Sequence, residues 1–392
     1  MTTPTTPTTR SDPAAAPGPA ASAASAAPGA SAAPGASAAP GASAAPGASA
    51  APGASAAPGS PPRLSVLDRS RIRQGQQPAQ ALRDTVLLAQ QVERLGYHRF
   101  WVAEHHGVPG VAGSAPTVLA AAVAAATTRI RVGTGGVMLP NHQPMVVAEQ
   151  FGVLASLFPG RIDMGLGRSV AFTDGIRRAL GRDKDAADHF AEQLAELLGY
   201  FDPERGARGD VHARPAEGLR VPAFVLATGA GAGIAAEAGL PLVIGGLRGA
   251  EAMVGAIERY RAGFRPSAQA EAPYVVVSGN VAVAETAGAA RDLLVSEAWS
   301  GAYARTHGEF PPLAPVSQVL AREMSPRERA AYQQALRGHI AGTPDQVVAE
   351  LGALLARTGA DEFLVTTHAY DQAALLDSYR LLAQAAGLPV PI

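Results

Sequence analysis

A closed (β/α)8 barrel is the fold class the sequence predicts, and three observations predict it. Beyond Arg63, short apolar runs alternate with amphipathic stretches, strand and helix in turn. There are eight such runs, the number a closed parallel barrel requires. One of them, Phe100-Trp101-Val102-Ala103, stops at Glu104-His105-His106, with Gly107 and Pro109 behind it. A buried parallel strand that hands polar residues to the loop at its end reads this way. A doubly wound open sheet would alternate similarly, but it normally carries a Gly-rich dinucleotide fingerprint after its first strand, and Leu67-Asp-Arg-Ser70 has none.

In chain order, Leu64–Leu67 is short and apolar. Ala79–Leu95 places Leu82, Val86, Ala89, Val92 and Leu95 three or four residues apart, the mark of an amphipathic helix, and Gly96 closes it. The strand at Phe100 follows, then a helix from Thr117 to about Ala126 and a third strand over Ile130–Thr134. The turn Leu139-Pro-Asn-His-Gln-Pro144 leads into a helix from about Met145 to Leu157, and Arg161–Leu166 is the fourth strand. A helix ends near Gly199. Pro222–Ala227 and Leu242–Ile244 are strands five and six, each followed by a helix, over Gly231–Ala238 and Glu251–Gly263. Tyr274–Ala284 reads as one unusually long seventh strand, with a helix from Glu285 to about Arg305. Ala304–Thr343 is Pro-rich and irregular with some helix. Helices at Pro344–Thr358 and Gln372–Ala386 flank the eighth strand, Glu362–Thr367.

Residues 1–62 are a separate case. The first 60 hold one large apolar side chain, Met1, and no aromatic, so they cannot offset chain entropy by burial and are expected to be disordered. Ser25–Ser60 is six copies of Ser-Ala-Ala-Pro-Gly-Ala, the last ending in Ser60. Pro-Gly in every copy breaks helix and strand alike, leaving a flexible tether. Without a continuous apolar core it is not a signal peptide, and cytoplasm is the expected location. The net charge of −1 gives no footprint for nucleic acid or anionic membrane. No apolar run approaches the roughly 18 residues of a membrane helix. With no cysteine, disulfides, thiolate metal sites and a cysteine nucleophile are excluded.

Five stretches carry a resemblance: Gly96-Tyr-His-Arg-Phe-Trp-Val-Ala-Glu-His-His106, Ser114-Ala-Pro116, Val132-Gly-Thr-Gly-Gly-Val-Met-Leu-Pro140, Ala148-Glu-Gln150 and Pro159-Gly-Arg-Ile-Asp-Met-Gly-Leu-Gly-Arg168. Their order and spacing resemble the bacterial luciferase-like flavin-dependent monooxygenases, and the likeness runs from about Leu64 to Leu388, within a barrel domain expected over 63–392. It implies a barrel that binds reduced FMN at the C-terminal ends of its strands. There the flavin reacts with oxygen to give a peroxyflavin that oxidises a small organic substrate. Related barrels use a deazaflavin coenzyme for hydride transfer without oxygen, and some relatives are non-catalytic flavin binders. A separate flavin reductase and a homodimer built on the helix after the second strand and the one after it are also implied.

The residues have physical readings of their own. His105 alternates with Trp101 and Ala103, so it and His106 point to opposite faces of the strand. A histidine titrating near neutrality can move a substrate proton or hydrogen-bond a peroxide oxygen. The resemblance puts the catalytic histidine at His105, with Glu104 beside it; a cap on the strand end, or a bond between His105 and Glu104, is the bland alternative. Metal ligation by Glu104, His105 and His106 is disfavoured, because adjacent strand residues cannot converge on one ion and no further ligand is apparent.

Thr134-Gly135-Gly136 permits close approach of a planar ring or a strained peptide, and the resemblance implies a cis bond between the two glycines under the flavin. Gly167 and Arg168 close the fourth strand, where a guanidinium can hold a phosphate or pair with Asp163 or Asp174. Many luciferases carry a cysteine where Gly167 stands, a departure that speaks against a long-chain aldehyde and light emission. Thr228, Gly229, Ala230, Gly231 and Ala232 offer a hydroxyl and free backbone N–H groups, which the resemblance assigns to the flavin phosphate. Asp68, His142 and Thr367, with Asn141 and His368, follow strands and are weaker candidates for lining the substrate pocket. Loops over 107–113, 170–174 and 304–343 would shape that pocket.

Overall fold

The structure is a computed structural model that describes residues 62–204, 211–229, 231–245 and 249–389. The repeat tail expected over 1–62 lies outside the described residues except for Pro62.

The eight expected strands are present: β1 (Arg63–Asp68), β2 (Arg99–Val102), β3 (Arg131–Thr134), β4 (Ile162–Gly167), β5 (Ala223–Ala227), β6 (Leu242–Gly245), β7 (Val275–Gly279) and β8 (Glu362–Val365). All pair in parallel in the order β3-β2-β1-β8-β7-β6-β5-β4, and a further β3–β4 pairing, Val132 with Ile162 and Gly133 with Asp163, closes the ring. The chain therefore folds as a TIM barrel and not as an open sheet. Two glycines make the closure fit. A Cβ on Gly133 would lie 2.4 Å from the Asp163 carbonyl oxygen, and one on Gly165 would lie 1.9 Å from that of Thr134.

Around the ring lie α1 (Pro78–Arg94), α2 (Pro116–Ala126), α3 (Pro144–Leu157), α4 (Phe190–Gly199), α5 (Gly231–Glu237), α6 (Ala250–Gly263), α7 (Ala287–His307), α8 (Pro344–Thr358) and α9 (Gln372–Ala385). The first three and α8 begin with proline, whose missing N–H would be unpaired in the first turn anyway. Alternation sorts the strand residues into two cores. Val66, Phe100, Val102, Val132 and Val365 face the helices. Leu67, Trp101, Ala103, Phe224, Val243, Tyr274, Val276 and Leu364 fill the barrel.

One expectation fails. The long seventh strand is two strands broken at Asn280, because the chain leaves the barrel there: Val281–Val283 pairs with Ile340–Gly342 in a separate two-stranded sheet. The segment expected to be irregular with some helix does hold two helices, Val316–Leu320 and Pro326–Ala335, which pack on α7, and adds the unexpected partner strand. Among the described residues, no helix is long and apolar enough to cross a membrane.

Candidate active site at the carboxyl rim

His105 lies three residues past the end of β2, on the face that Trp101 and Ala103 turn into the barrel. Its N–H donates to Gly113 O at 2.8 Å, which fixes the loop. The ring stacks on Phe172, centroids 6.4 Å apart at 18°, and Phe172 packs on Phe310 at 5.8 Å. Phe172 is 62% exposed, an apolar side chain held at the mouth. The His105 Nδ1 atom is buried without a hydrogen-bond partner. Burial, then the guanidiniums of Arg69 and Arg71, push its pKa down to about 3. The sequence suggested a histidine titrating near neutrality; in the free protein the imidazole is neutral at that pH.

Glu104 points the other way. His106 Nε2 and His142 Nε2 contact its two oxygens at 2.8 and 2.9 Å, Met138 N–H donates at 2.9 Å and Asn141 Nδ2 at 3.1 Å. Burial alone would raise the pKa, but these donors hold it at about 2. The carboxylate that the sequence offered as catalytic is fully enclosed by these donors, its side chain 0% exposed. It ties the loop after β2 to the loop after β3. The bond to His105 that the sequence allowed is not formed. His142, a substrate candidate, is engaged on Glu104, as is Asn141. Donor atoms of Glu104, His106 and His142 lie within 4.8 Å of one another, so a second histidine does approach, contrary to expectation. The carboxylate meets both imidazoles directly.

Asp68 and Thr367 do not line the mouth either. Asp68 is buried against Thr85 at 2.5 Å, Ser70 N–H at 3.1 Å and His368 Nε2 at 2.9 Å. Thr367 exchanges hydrogen bonds with the backbone of Val281, at 2.7 Å each way. Both follow outward-facing strand positions, so their side chains enter the wall of the barrel, and His368 joins Asp68 there.

The glycine-rich end of β3 does what the resemblance implied: the Gly135–Gly136 peptide is cis. Gly135 N–H donates to Val102 O at 2.8 Å, which sets the pair beside the end of β2. Thr134 departs from expectation, because its buried hydroxyl is spent on β4, donating to Gly165 O at 2.7 Å and accepting from Gly165 N–H at 3.2 Å. A Cβ on Gly167 would lie 2.7 Å from Met138 Sδ, so a side chain there needs the methionine to shift.

Arg168 is more available. Its side chain is 41% exposed, and its ion pair, to Asp188, spans 3.7 Å. Asp163 is held instead by Arg99 and Arg131, and Asp174 by Arg177. After β5, Thr228 is exposed and Gly229 adopts a left-handed conformation with φ 86°, while Gly231 and Ala232 are buried at the start of α5. Ala230 lies outside the described residues.

The ring order puts these pieces on consecutive strands: His105 after β2, Gly135–Gly136 after β3, Arg168 after β4 and Thr228 after β5. The model of luciferase-like monooxygenases matches residues 63–362. The chain belongs to this family. It is an oxidoreductase family, and a luciferase-like monooxygenase of Escherichia coli K12 is 37% identical over 319 residues, 81% of this chain and 95% of the relative. The solved structure of apo-MsnO8 matches with a TM-score of 0.75 and 32% identity, over 84% of this chain and 99% of that one. More distant solved barrels show only the shared fold. They include the oxygenating component of 3,6-diketocamphane monooxygenase from Pseudomonas putida in complex with FMN (19% identity, TM-score 0.63, 85% and 100% coverage). Another is an F420-dependent secondary alcohol dehydrogenase (16%, 0.63, 83% and 99%).

Four residues escaped the sequence reading. Phe172 and Phe310 form the aromatic wall, and Glu297 of α7 pairs with Arg69. The fourth is Arg71, in a run with arginine at every second position, Arg69, Arg71 and Arg73.

Proposed function

We propose that this luciferase-like protein is a monooxygenase that uses reduced FMN and oxygen to oxidise a small organic substrate. The observation that carries the reading is the arc of four consecutive strand ends. An unpartnered buried imidazole nitrogen stands at one end, and an exposed guanidinium and hydroxyl at the other, with the cis glycine pair between them.

The residues present fit a flavin mononucleotide. The glycine pair presents a surface without side chains on which a planar ring can rest. Arg168, if it exchanges its long 3.7 Å contact with Asp188, can bind a phosphate by paired charge-assisted hydrogen bonds, with the exposed Thr228 hydroxyl beside it. Reduced flavin supplies two electrons and, with oxygen, the oxygen atom that is transferred. The neutral His105 orients the reacting group through a ring nitrogen. Glu104 holds the loops after β2 and β3 in register, and Phe172 and Phe310 keep water from the imidazole. The openness of Arg168 suits a flavin that arrives reduced from a separate reductase.

Anaerobic titration with reduced FMN and with reduced F420, followed by oxygen, tests the reading. Saturable FMN binding and oxygen uptake on mixing are the expected outcome. F420 binding with no oxygen consumed would replace it with hydride transfer, and tight binding of oxidised flavin without turnover would leave a flavin-binding protein.

We also propose a homodimer through α2 and α3. Val118, Val146, Val153 and Leu157 are exposed there, an apolar face on two adjacent helices. Val118→Glu is expected to convert a dimer to a monomer in sedimentation analysis.

A further inference from the structure

The three arginines of the loop after β1 are not alike. Arg69 pairs with Glu297, and Arg73 lies 3.5 Å from Asp84 and donates to Tyr370 O at 2.8 Å. Arg71 lies between them in sequence, is 5% exposed and has no carboxylate partner among the described residues. Its Nη2 donates to Ser300 Oγ at 2.5 Å and to Pro311 O at 3.3 Å, and its Nε is buried with no acceptor. Burial lowers its pKa to about 10; Glu297 opposes this, but that carboxylate is already engaged by Arg69 and His368. A guanidinium does not give up its proton in a protein. A buried unpaired cation is costly, and an incoming anion would remove the cost.

Arg71 belongs to the same cluster as His105. It bridges to Val111, Ala112 N–H donates to Ser70 O, and Gly113 O accepts from His105 N–H, so residues 111–113 join the two. From the other side, Pro311, which accepts from Arg71, follows Phe310, whose ring packs on the Phe172 that stacks on His105. The cluster therefore holds a buried cation and a neutral imidazole, each with an unused nitrogen, beside an aromatic wall. Its place on the ring matters too: β1 and β2 are adjacent, whereas β4 and β5, which carry Arg168 and Thr228, lie across the barrel from β1.

Resting on the flavin reading above, we propose that Arg71 binds the carboxylate of the substrate next to His105, so that this enzyme acts on organic acids with an apolar or aromatic body. A carboxylate oxygen accepts from the unused Nε–H, since both Nη2 hydrogens are held by Ser300 and Pro311, and the body lies along Phe172 and Phe310. The substrate's anion and the flavin's phosphate then sit on opposite sides of the carboxyl rim and do not compete.

Phenylacetate and phenylacetamide share a body and differ in charge. The full-length protein, with and without FMN, is titrated with each by calorimetry, for wild type, Arg71→Met and Arg71→Lys. Wild type is expected to bind the acid at least about tenfold tighter than the amide. Arg71→Met removes that preference while FMN affinity stays as in wild type, and Arg71→Lys, which keeps the charge, retains part of it. Equal binding of acid and amide by wild type would overturn the proposal without any variant, as would a preference that survives in a folded Arg71→Met. A protein that prefers the acid but binds no flavin would sink the flavin reading and leave this one standing.

Discussion

The two ends of the barrel treat buried charge in opposite ways. At the N-terminal end, Arg99 Nε donates to both oxygens of Glu362, at 3.1 and 3.0 Å, and Nη1 to Asp163 at 2.7 Å. Tyr274 gives its hydroxyl to Glu362 at 2.7 Å, Trp101 gives Nε1–H to Asp163 at 3.2 Å, and Arg131 reaches Asp163 at 2.6 Å. At the C-terminal end, Arg69 Nε, Arg71 Nε, His105 Nδ1, Asn141 Oδ1 and Arg182 Nε are buried without partners, all on loops that follow β1 to β4. Buried polar groups are normally satisfied. Among the described residues, these charges at the N-terminal end are all paired, whereas the C-terminal end, where barrels of this type place their sites, leaves these polar atoms open.

Removing one acid from the paired N-terminal network should show the largest effect. Asp163→Ala leaves Arg99 and Arg131 buried without their shared carboxylate, and stability to denaturant is expected to fall by about 3–5 kcal/mol. The protein that remains folded binds flavin as before. A loss under about 1 kcal/mol would mean that this network is no more essential than a surface ion pair.

His105→Ala should reverse the pattern. Turnover falls on the order of 10²-fold or more while flavin binding is kept, and stability changes by no more than about 1 kcal/mol. Wild-type turnover in that variant would remove His105 from the chemistry.

The smallest effect is read in the pH dependence of stability. Burial and the neighbouring guanidiniums lower the His105 pKa from 6.5 to about 3, so between those values the unfolded chain binds the proton and the folded one does not. Stability therefore falls as pH drops through that window, and His98, lowered to about 4 by burial and Arg99, adds to the slope. Burial would raise Asp163 and Glu362, but Arg99 overrides it and holds both below the usual range, so their contribution is lost only at still lower pH, below about 4. His105→Asn should flatten the stability curve from pH 6.5 downward and leave the acid limb in place. An unchanged slope would show that the imidazole is not held neutral.

Much of this was legible in the residues. The eight strands were readable because a parallel strand is buried on both faces and therefore nearly all apolar, and Gly96 and the prolines mark helix ends through backbone rules alone. His105 was also readable as an inward residue, since Trp101, Ala103 and His105 alternate. The break at Asn280 was not, because Val281–Val283 is as apolar outside the barrel as within it. The setting of Glu104 was hidden for a different reason. Its partners Met138, Asn141 and His142 lie more than thirty positions away, and no local spacing says that a loop after the next strand will close on it.

By itself the sequence determined the alternation of strand and helix, the inward face of each strand and the family, since all three depend on residue type and short-range order. Only the tertiary structure decided that the sheet closes, that Glu104, Asp68 and Thr367 turn into the wall, and that Arg71 is left without a carboxylate. Ring closure and ion pairing bring together groups from distant parts of the chain. Whether a buried charge finds its counter-charge depends on where both end up in space.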